Sequence, residues 1–482
     1  MLSNSLHGQH TNFESKLPIF KFETGGLQIV DEPKTTAVLQ IINNDDGPNH
    51  YSDTPTDYDG WVGIEIRGAS SSRYPQKPYL FETRDSLGEN NNVSLLGLPE
   101  ENDWVLLSHY NDKSFLRNLL GFYLFEKMGH YAPRGRLCEV FINDEYQGIY
   151  LFSEKLKRDK NRIDIARLNP EEVEGEDLTG GYIFKVDYID GDEHWISKYS
   201  PIDHPNFKVK FVYYYPKSED IKWEQKDYLR NYVTEFEDAL YNKDLSDPKG
   251  YKSFIHDSSF VDYFLISELS RNNDGFKKSR YFYKDKNGPI KAGPVWDFDW
   301  AWKNISECDV VSATNGSGWA YQINDCNPWV KSPGWTIKML KDRSYANQIN
   351  CRYLELRESI FSEDYIFHYI DSVAALVEEA QVRHFNKYEI LGKRTGAPEV
   401  EPPANTYDEE VARLKTWISL RLSWLDRNMV GNCGETPDEY TDELLVVYPN
   451  PTRGNVKINS YKIFQKINIY DLSGRLCFNK ST

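Results

Sequence analysis

The sequence predicts an α+β fold, with a β-rich N-terminal part, a mainly helical C-terminal part and a small β tail. Up to residue 220, short apolar runs bounded by Gly, Asp and Asn are typical of strands. From residue 221 onwards, apolar residues recur at the helical period. Because strands and helices are segregated along the chain, an α+β architecture is favoured over alternating βαβ units.

The first part contains predicted strands and one prominent helix. The helix lies within 112–129, where Asp and Ser supply an N-cap signal and Gly129 a stop. The segment 138–153 is predicted to form a hairpin whose turn carries Asn, Asp and Gly. The other predicted strands are 17–22, 36–42, 60–67, 181–186 and 208–215.

The second part is predicted to be helical, with one hairpin between helices. The hairpin comprises 280–284 and the stretch that leads into Trp296. The predicted helices are 221–243, 257–270, 344–382 and 407–428.

These patterns divide the chain into five segments. A polar N-terminal segment covers 1–16, and the two parts of the body cover 17–220 and 221–430. A linker spans 431–443, and the β tail spans 444–482.

The composition excludes some classes of protein. The 482 residues include 57 Lys and Arg against 74 Asp and Glu, a net charge of −17. A nucleic-acid-binding role is therefore not expected, because affinity for phosphate backbones comes from clustered Lys and Arg. No stretch approaches the roughly 20 apolar residues of a membrane span, so no transmembrane segment is expected. The 33 Tyr, 24 Phe and 12 Trp are expected mainly in the core.

The six cysteines lack the spacing of a zinc site. A disulfide from Cys308 to Cys326 or to Cys351 is one interpretation. Buried free thiols are the other.

The segment 293–302, GPVWDFDWAW, carries the strongest chemical signal. Its carboxylates Asp297 and Asp299 flank a Phe, so on a strand both would point to one face. Such a pair can hold a hard cation or act as acid and base. Asp274 lies 297 − 274 = 23 residues before Asp297, in the polar loop NNDGFKKS that follows an apolar helix.

A hydroxyl-rich loop follows the strand GIEIR at 63–67. The loop contains Ser70, Ser71 and Ser72, and Lys77 lies just beyond it. Backbone N–H groups of such a loop can cradle phosphate oxygens, which a lysine can neutralise. The spacing matches neither GxxxxGK[ST] nor GxGxxG, so a Ser-rich turn without a ligand explains the local pattern equally well.

Several long motifs follow one another along the chain. They are RGASSSRYPQKPYLFE, LLGLPEENDWVLLSHYNDKSFLRN, VFINDEYQGIYLFSEKLKRDKNRI, GGYIFKVD and NNDGFKKSRYFYKD followed by GPVWDFDWAW. A loop Asp, a short hairpin and a second Asp are also the order of parts in protein kinases. On these motifs the chain resembles, from about residue 17 to about residue 427, the CotH kinase family, the spore-coat protein kinase-like group. The resemblance implies an atypical protein-kinase-like fold and transfer of the γ-phosphoryl group of ATP to Ser or Thr of a protein, with Mg²⁺ or Mn²⁺ as cofactor.

The resemblance implies catalytic and metal-binding roles. Asp274 would be the carboxylate near the acceptor hydroxyl, and Lys77 would be the phosphate-neutralising lysine. Asp297 would hold the metal ion, with Asp299 in a second-metal or supporting position. Ordinary kinases place a metal-binding Asn five residues after the loop Asp, and here 274 + 5 = 279 is a serine, Ser279.

The resemblance also implies a nucleotide-binding surface. Arg67 would lie over the phosphates together with the three loop serines Ser70, Ser71 and Ser72. Glu154 is interpreted as orienting the phosphate-binding cation, and Trp296 is placed near the site by its neighbours.

The tail contains the motifs YPNPTRG at 448–454 and IYDLSGR at 469–475. On these two motifs it resembles the C-terminal sorting domain of proteins that the type IX system of Bacteroidetes exports. This resemblance implies a secreted or cell-surface protein and makes the type IX machinery a partner. A small β appendage without a targeting role is the alternative.

Three functions remain open at this level. The first is an exported kinase that acts on basic Ser- or Thr-rich protein segments. The second is a catalytically weak or inactive surface or invasin-type binding module, which Ser279 and the scarcity of ATP outside cells both favour. The third is a glycan-active enzyme that uses Asp297 and Asp299 as acid and base.

Overall fold

The structure is a computed structural model that describes residues 12–247 and 249–434, together with four strands between 446 and 481. The chain divides into two compact units, Met1–Asn432 and Cys433–Thr482.

Nine strands lie between residues 12 and 154 of the described chain. They are β1 (Glu14–Ser15), β2 (Ile19–Glu23), β3 (Thr35–Ile42), β4 (Asn49–His50), β5 (Tyr58–Ile66), β6 (Tyr79–Arg84), β7 (Asp103–Ser108), β8 (Gly135–Ile142) and β9 (Glu145–Glu154). Seven of them form a closed barrel in the order β2-β3-β5-β6-β7-β9-β8, and β1 pairs with β4 in a separate ribbon. Neighbours in the barrel are antiparallel except β2 and β8, whose parallel pairing closes it.

A second, five-stranded antiparallel sheet follows the barrel. Its strands are β10 (Tyr182–Val186), β11 (His194–Ile196), β12 (Lys210–Tyr215), β13 (Arg280–Lys284) and β14 (Ile290–Ala292). The order across the sheet is β11-β12-β10-β13-β14. The predicted hairpin that leads towards Trp296 is therefore present as β13 and β14, which pair antiparallel.

Most helices lie in the C-terminal half, as the sequence predicts. They are α1 (Arg117–Lys127), α2 (Trp223–Asn242), α3 (Asp257–Leu269), α4 (Asp309–Ser312), α5 (Trp335–Met339), α6 (Arg343–Arg357), α7 (Glu363–Leu376), α8 (Ala380–Lys387) and α9 (Tyr407–Asn428). The continuous helix predicted at 344–382 is wrong, because α6, α7 and the start of α8 share this range. Ser362 starts α7 as its N-cap, since its hydroxyl accepts a hydrogen bond from the Tyr365 backbone N–H at 3.3 Å.

Helix α3 is the central element of this half. Its residues from Ser259 to Leu269 are all buried. A helix that is apolar on every side packs within a core, and α3 contacts α1, α6, α9 and β14. Its C-terminus therefore delivers the following loop, which contains Asp274, to a fixed position.

Aromatic side chains fill both cores, which confirms the expected use of most of them. In the barrel, Trp104 and Phe152 pack with ring centroids 5.0 Å apart. In the larger core, Trp335 packs against Phe211 and Phe282. Trp329 is an exception, with 94% of its surface exposed.

A disulfide joins Cys308 to Cys326, with the two Cα atoms 5.5 Å apart. This confirms one of the two pairings that the sequence left open. Cys138 is a buried free thiol on β8.

The smaller unit contains four strands in two antiparallel pairs. They are β15 (Val446–Tyr448), β16 (Lys457–Asn459), β17 (Lys466–Tyr470) and β18 (Leu476–Ser481). Strand β15 pairs with β16, and β17 pairs with β18.

Candidate active site

The loop after α3 holds the Asp274 side chain between two lysines. Lys277 Nζ lies 3.0 Å from Oδ1, and Lys278 Nζ lies 2.8 Å from Oδ2. The Asp274 backbone N–H donates to Asn272 Oδ1 at 3.0 Å, and the Tyr263 hydroxyl donates to the Gly275 carbonyl at 2.7 Å. Burial alone would raise the pKa of Asp274, but the two ammonium groups hold it below its ordinary value.

Asp297 and Asp299 lie in a loop after β14 and not on a strand. Helix α1 fixes this loop, because Asn118 Oδ1 accepts a hydrogen bond from the Phe298 backbone N–H at 2.8 Å. Gly121 of α1 leaves room for the Phe298 ring, since a Cβ at that position would lie 2.6 Å from Phe298 Cδ2. With Phe298 turned towards α1, its two acidic neighbours converge without strand geometry.

Asp297 and Asp299 form an acidic group with Asp297 at its centre. The Asp297 carboxylate accepts a hydrogen bond from Ser279 Oγ at 3.1 Å, and the Asp299 carboxyl lies within hydrogen-bonding reach. Burial and then the charge of Asp299 raise the pKa of Asp297 well above its ordinary value, while Lys278 opposes this rise. Asp297 therefore has a strong electrostatic tendency to share a proton or bind a cation.

A residue from the barrel side completes this group. Asn111 Nδ2 donates to Asp299 Oδ2 at 2.6 Å. The loop that contains Asn111 connects β7 to α1. Two segments that are far apart in sequence therefore meet at Asp299.

The hydroxyl-rich loop with Ser70, Ser71 and Ser72, called the serine loop below, lies beside this group. Tyr74 of the loop stacks on Tyr110 with ring centroids 5.3 Å apart. Burial and the charge of Asp299 raise the pKa of Tyr74. Lys77 Nζ donates to the Ser72 carbonyl at 2.9 Å, so this lysine fastens the loop.

The three loop serines differ in exposure. Ser70 is exposed, whereas Ser71 and Ser72 are half-buried in a single 3₁₀ turn that ends at Arg73. Ser72 Oγ donates to the Ala69 carbonyl at 3.0 Å.

Arg67 extends from the end of β5 over Trp296. Its guanidinium lies 5.7 Å from the centroid of the indole, which in turn stacks on Phe122. Within residues 12–247 and 249–434, the Arg67 guanidinium has no hydrogen-bond or ion-pair partner. A half-buried cation next to the Asp297 loop is thus left for a ligand or for water.

Glu154 has other partners than Lys77. It is the last residue of β9, is fully buried, and its Oε1 lies 2.6 Å from Arg134 Nη2. Arg162 Nε lies 3.9 Å from the same oxygen. Glu154 thus positions arginines at the barrel end, and Lys77 remains with the serine loop.

The sequence motifs indicate Asp274, Asp297, Asp299 and Ser279, and the structure brings these four residues together. The motifs do not indicate Lys278 or Asn111 as members of the site. Lys278 is four residues after Asp274, so the spacing of a helical turn was an available signal. Asn111 carried no signal that relates it to Asp299.

The acidic group does not by itself enclose a metal ion. Among the residues that the structure describes in the larger unit, no three His, Cys, Asp or Glu side chains are grouped for metal binding. The two carboxylates and the Ser279 hydroxyl are an incomplete set of hard oxygen donors. Mg²⁺ in nucleotide sites is held in this way, by one or two carboxylates with phosphate and water oxygens as the other ligands.

The arrangement defines an α+β protein in which a serine loop and an unpaired arginine border a carboxylate group after a β-hairpin. Residues 64–425 match the family model described as CotH kinase protein, and residues 446–482 match the model described as secretion system C-terminal sorting domain. The chain therefore belongs to the CotH family. No curated protein matches it.

The sorting domain makes this an exported protein, secreted or held at the cell surface through the type IX system. Among the described residues, no helix is both long enough and apolar enough to cross a membrane.

Proposed function

We propose that this chain is an exported, Mg²⁺-dependent enzyme that transfers the γ-phosphoryl group of ATP to a Ser or Thr hydroxyl of a protein. The observation that carries the proposal is the convergence of Asp274, Lys278, Asp297 and Asp299 beside the serine loop. Phosphoryl transfer requires positioning and charge stabilisation more than covalent chemistry. Here three carboxylates and the ammonium group of Lys278 lie close together.

Nucleotide phosphates would bind between the serine loop and the acidic group. The unpaired Arg67 guanidinium and the backbone N–H groups at 70–72 supply donors. Trp296 fixes the guanidinium by a cation–π contact. Lys77 contributes by holding the loop shape through its bond to the Ser72 carbonyl, instead of by pairing with Glu154.

Asp297, Asp299 and Ser279 would hold Mg²⁺ against the phosphates. When bound, the ion supplies positive charge to the transferring group and relieves the repulsion between the two carboxylates. The raised pKa of Asp297 has this repulsion as one of its causes, and so the residues fit the ion. Mn²⁺ has the same preference for oxygen ligands.

Asp274 would orient the acceptor hydroxyl and take its proton as the new P–O bond forms, while the bond from the γ-phosphorus to the β–γ bridging oxygen breaks and ADP leaves. The Asp274 carboxylate is held by the two lysines, and the Asp274 backbone N–H donates to the Asn272 side chain. The ionised form is present at neutral pH because its pKa is held low.

The geometry disfavours a glycosidase. The carboxyl groups of glycosidases lie at least about 5 Å apart, so that a sugar or a water fits between them. Here Asp297 and Asp299 are within hydrogen-bonding reach of each other.

Incubation with γ-³²P-ATP, Mg²⁺ or Mn²⁺ and a basic Ser-rich peptide tests the proposal. We expect label transfer by the wild type and by Asp46→Asn, a matched control at an exposed acidic loop. Asp274→Asn and Asp297→Asn are expected to lose transfer. Nucleotide binding without transfer would favour the binding module, and absence of nucleotide binding would overturn any nucleotide-dependent function.

A further inference from the structure

Two lysines contact Asp274, but they face different surroundings. Lys277 approaches Oδ1, and its side chain is 10% exposed. Lys278 approaches Oδ2 and is 21% exposed, with the Tyr188 ring 5.4 Å from its Nζ. Of the two, Lys278 is the more accessible to a ligand.

The charge of Lys278 also reaches the rest of the site. It acts on Asp297, where it lowers the pKa, and on Tyr74 of the serine loop. Lys278 Nζ is therefore close enough to the acidic group and the serine loop to act on both.

The arrangement at rest presents a difficulty for the proposed reaction. Both oxygens of Asp274 are paired with ammonium groups, so a neutral hydroxyl must compete with a cation for either of them. Departure of one lysine would free a carboxylate oxygen of Asp274 for the acceptor.

We propose that Lys278 exchanges partners, pairing with Asp274 in the nucleotide-free protein and moving to the terminal phosphoryl group when a nucleoside triphosphate binds. This inference rests on the proposed function. A phosphoryl group with up to two negative charges and three acceptor oxygens attracts an ammonium more strongly than one carboxylate does. The long, flexible lysine stem permits the movement. Lys277 stays on Oδ1 and keeps Asp274 oriented, while Oδ2 becomes available to the acceptor hydroxyl.

Nucleotide affinities test the exchange without any measurement of catalysis. Dissociation constants for AMP-PNP, a non-hydrolysable ATP analogue, and for ADP are measured with Mg²⁺ by calorimetry. We expect Lys278→Met to weaken AMP-PNP binding about tenfold or more, the loss of one charge-assisted contact. ADP lacks the terminal phosphoryl group, so its affinity should change less than about twofold. Lys278→Arg should retain the preference for the triphosphate, and so should Lys277→Met, the matched control.

A double-mutant cycle tests the competition itself. Asp274→Asn removes the partner that holds Lys278 at rest, so it should tighten AMP-PNP binding several-fold when Lys278 is present. The same substitution should have no such effect in the Lys278→Met background. Additive effects would contradict the exchange.

The possible failures are distinguishable. A wild type that binds neither nucleotide would disprove the proposed function. A wild type that binds both, with equal losses for AMP-PNP and ADP in Lys278→Met, would disprove only the role of Lys278. The role of Lys278 would also be disproved if Lys277→Met lost the preference for AMP-PNP over ADP while Lys278→Met retained it. If Lys278→Met does not fold, as judged by its Tm, Lys278→Gln replaces it, because an amide can still bond to Asp274.

Discussion

Asp297 combines two features that cost free energy in the folded protein. Its backbone has φ of +65°, in the left-handed region that non-glycine residues rarely adopt. Its half-buried carboxyl also lies beside Asp299, and burial and the charge of Asp299 raise its pKa. Ser279, which donates to it, has φ of +50°. Such residues persist where the surrounding structure imposes them, and they cluster at functional sites.

Asp297→Asn is therefore expected to stabilise the protein at neutral pH while it abolishes phosphoryl transfer. Because the pKa is raised in the folded state, ionisation of Asp297 lowers stability once the pH exceeds its ordinary value of 3.8. The gain, about 0.5–2 kcal/mol for substitutions of this kind, should grow as the pH rises and vanish near pH 4. Thermal unfolding of both proteins in EDTA between pH 4 and 8 measures it. A gain that is constant with pH would contradict the electrostatic cause.

At the residue scale, the sequence identified the acidic members of the site but not their partners. Asp274 and Asp297 belong to motifs with a recognisable order. Asn111 is 188 residues away from Asp299, and only the tertiary fold brings the two together. Lys278 stood within a recognised motif, but its direction depends on the turn in which its backbone N–H donates to the Asp274 carbonyl at 2.8 Å.

At the scale of elements, α1 supports the Asp297 loop through Gly121. Gly121→Ala raises helix propensity by about 1 kcal/mol, but the new methyl group displaces the Phe298 ring. We expect a nearly unchanged Tm and weaker binding of Mg²⁺ and nucleotide, by about tenfold, because Phe298 carries Asp297 and Asp299 on either side. Calorimetry with Mg²⁺ and AMP-PNP measures this effect. Glu126→Ala on the exposed face of α1 is the control, and equal binding by both variants would refute the link.

The disulfide closes the segment 308–326, and this segment binds Arg271 in the loop before Asp274. Between Cys308 and Cys326, the Ala313 carbonyl accepts from Arg271 Nη1 at 3.0 Å, and the Gly316 carbonyl accepts from Arg421 Nη1 at 2.7 Å. Replacing both cysteines by Ser should lower the free energy of unfolding by about 3 kcal/mol, given the 18-residue separation. Denaturant unfolding of the wild type and the double variant without reductant measures it. An unchanged free energy of unfolding in the double variant would contradict this prediction.

The elements themselves were largely predictable, and their arrangement was not. Alternating or apolar runs identified β3, β5 and α9 because these depend on local pattern. Closure of the barrel requires β2 to pair in parallel with β8, more than 110 residues later by 135 − 23 = 112. No short-range pattern encodes such a contact. The helical periodicity at 344–382 also gave no sign of the break at Ser362, the N-cap of α7.

At the scale of the whole molecule, the net charge of −17 has a local counterpart. The acidic segment 187–193, DYIDGDE, lies beside the site. The Tyr188 ring lies 5.4 Å from Lys278 Nζ, and the charges of Asp187 and Asp192 contribute to the raised pKa of Tyr281. We expect peptides with Lys or Arg around the acceptor Ser to have a higher kcat/KM than acidic peptides, by about tenfold or more at low salt. The difference in kcat/KM should shrink as NaCl rises from about 20 to about 300 mM, because salt screens exposed charges. An unchanged ratio would exclude steering by charge.

The parallel pairing of β2 with β8 also leaves the barrel without an edge strand. An edge strand presents unpaired N–H and C=O groups to which another polypeptide can add by main-chain hydrogen bonding. Closure of the barrel removes this template, so another copy of an exported chain cannot extend the barrel by adding a strand to it.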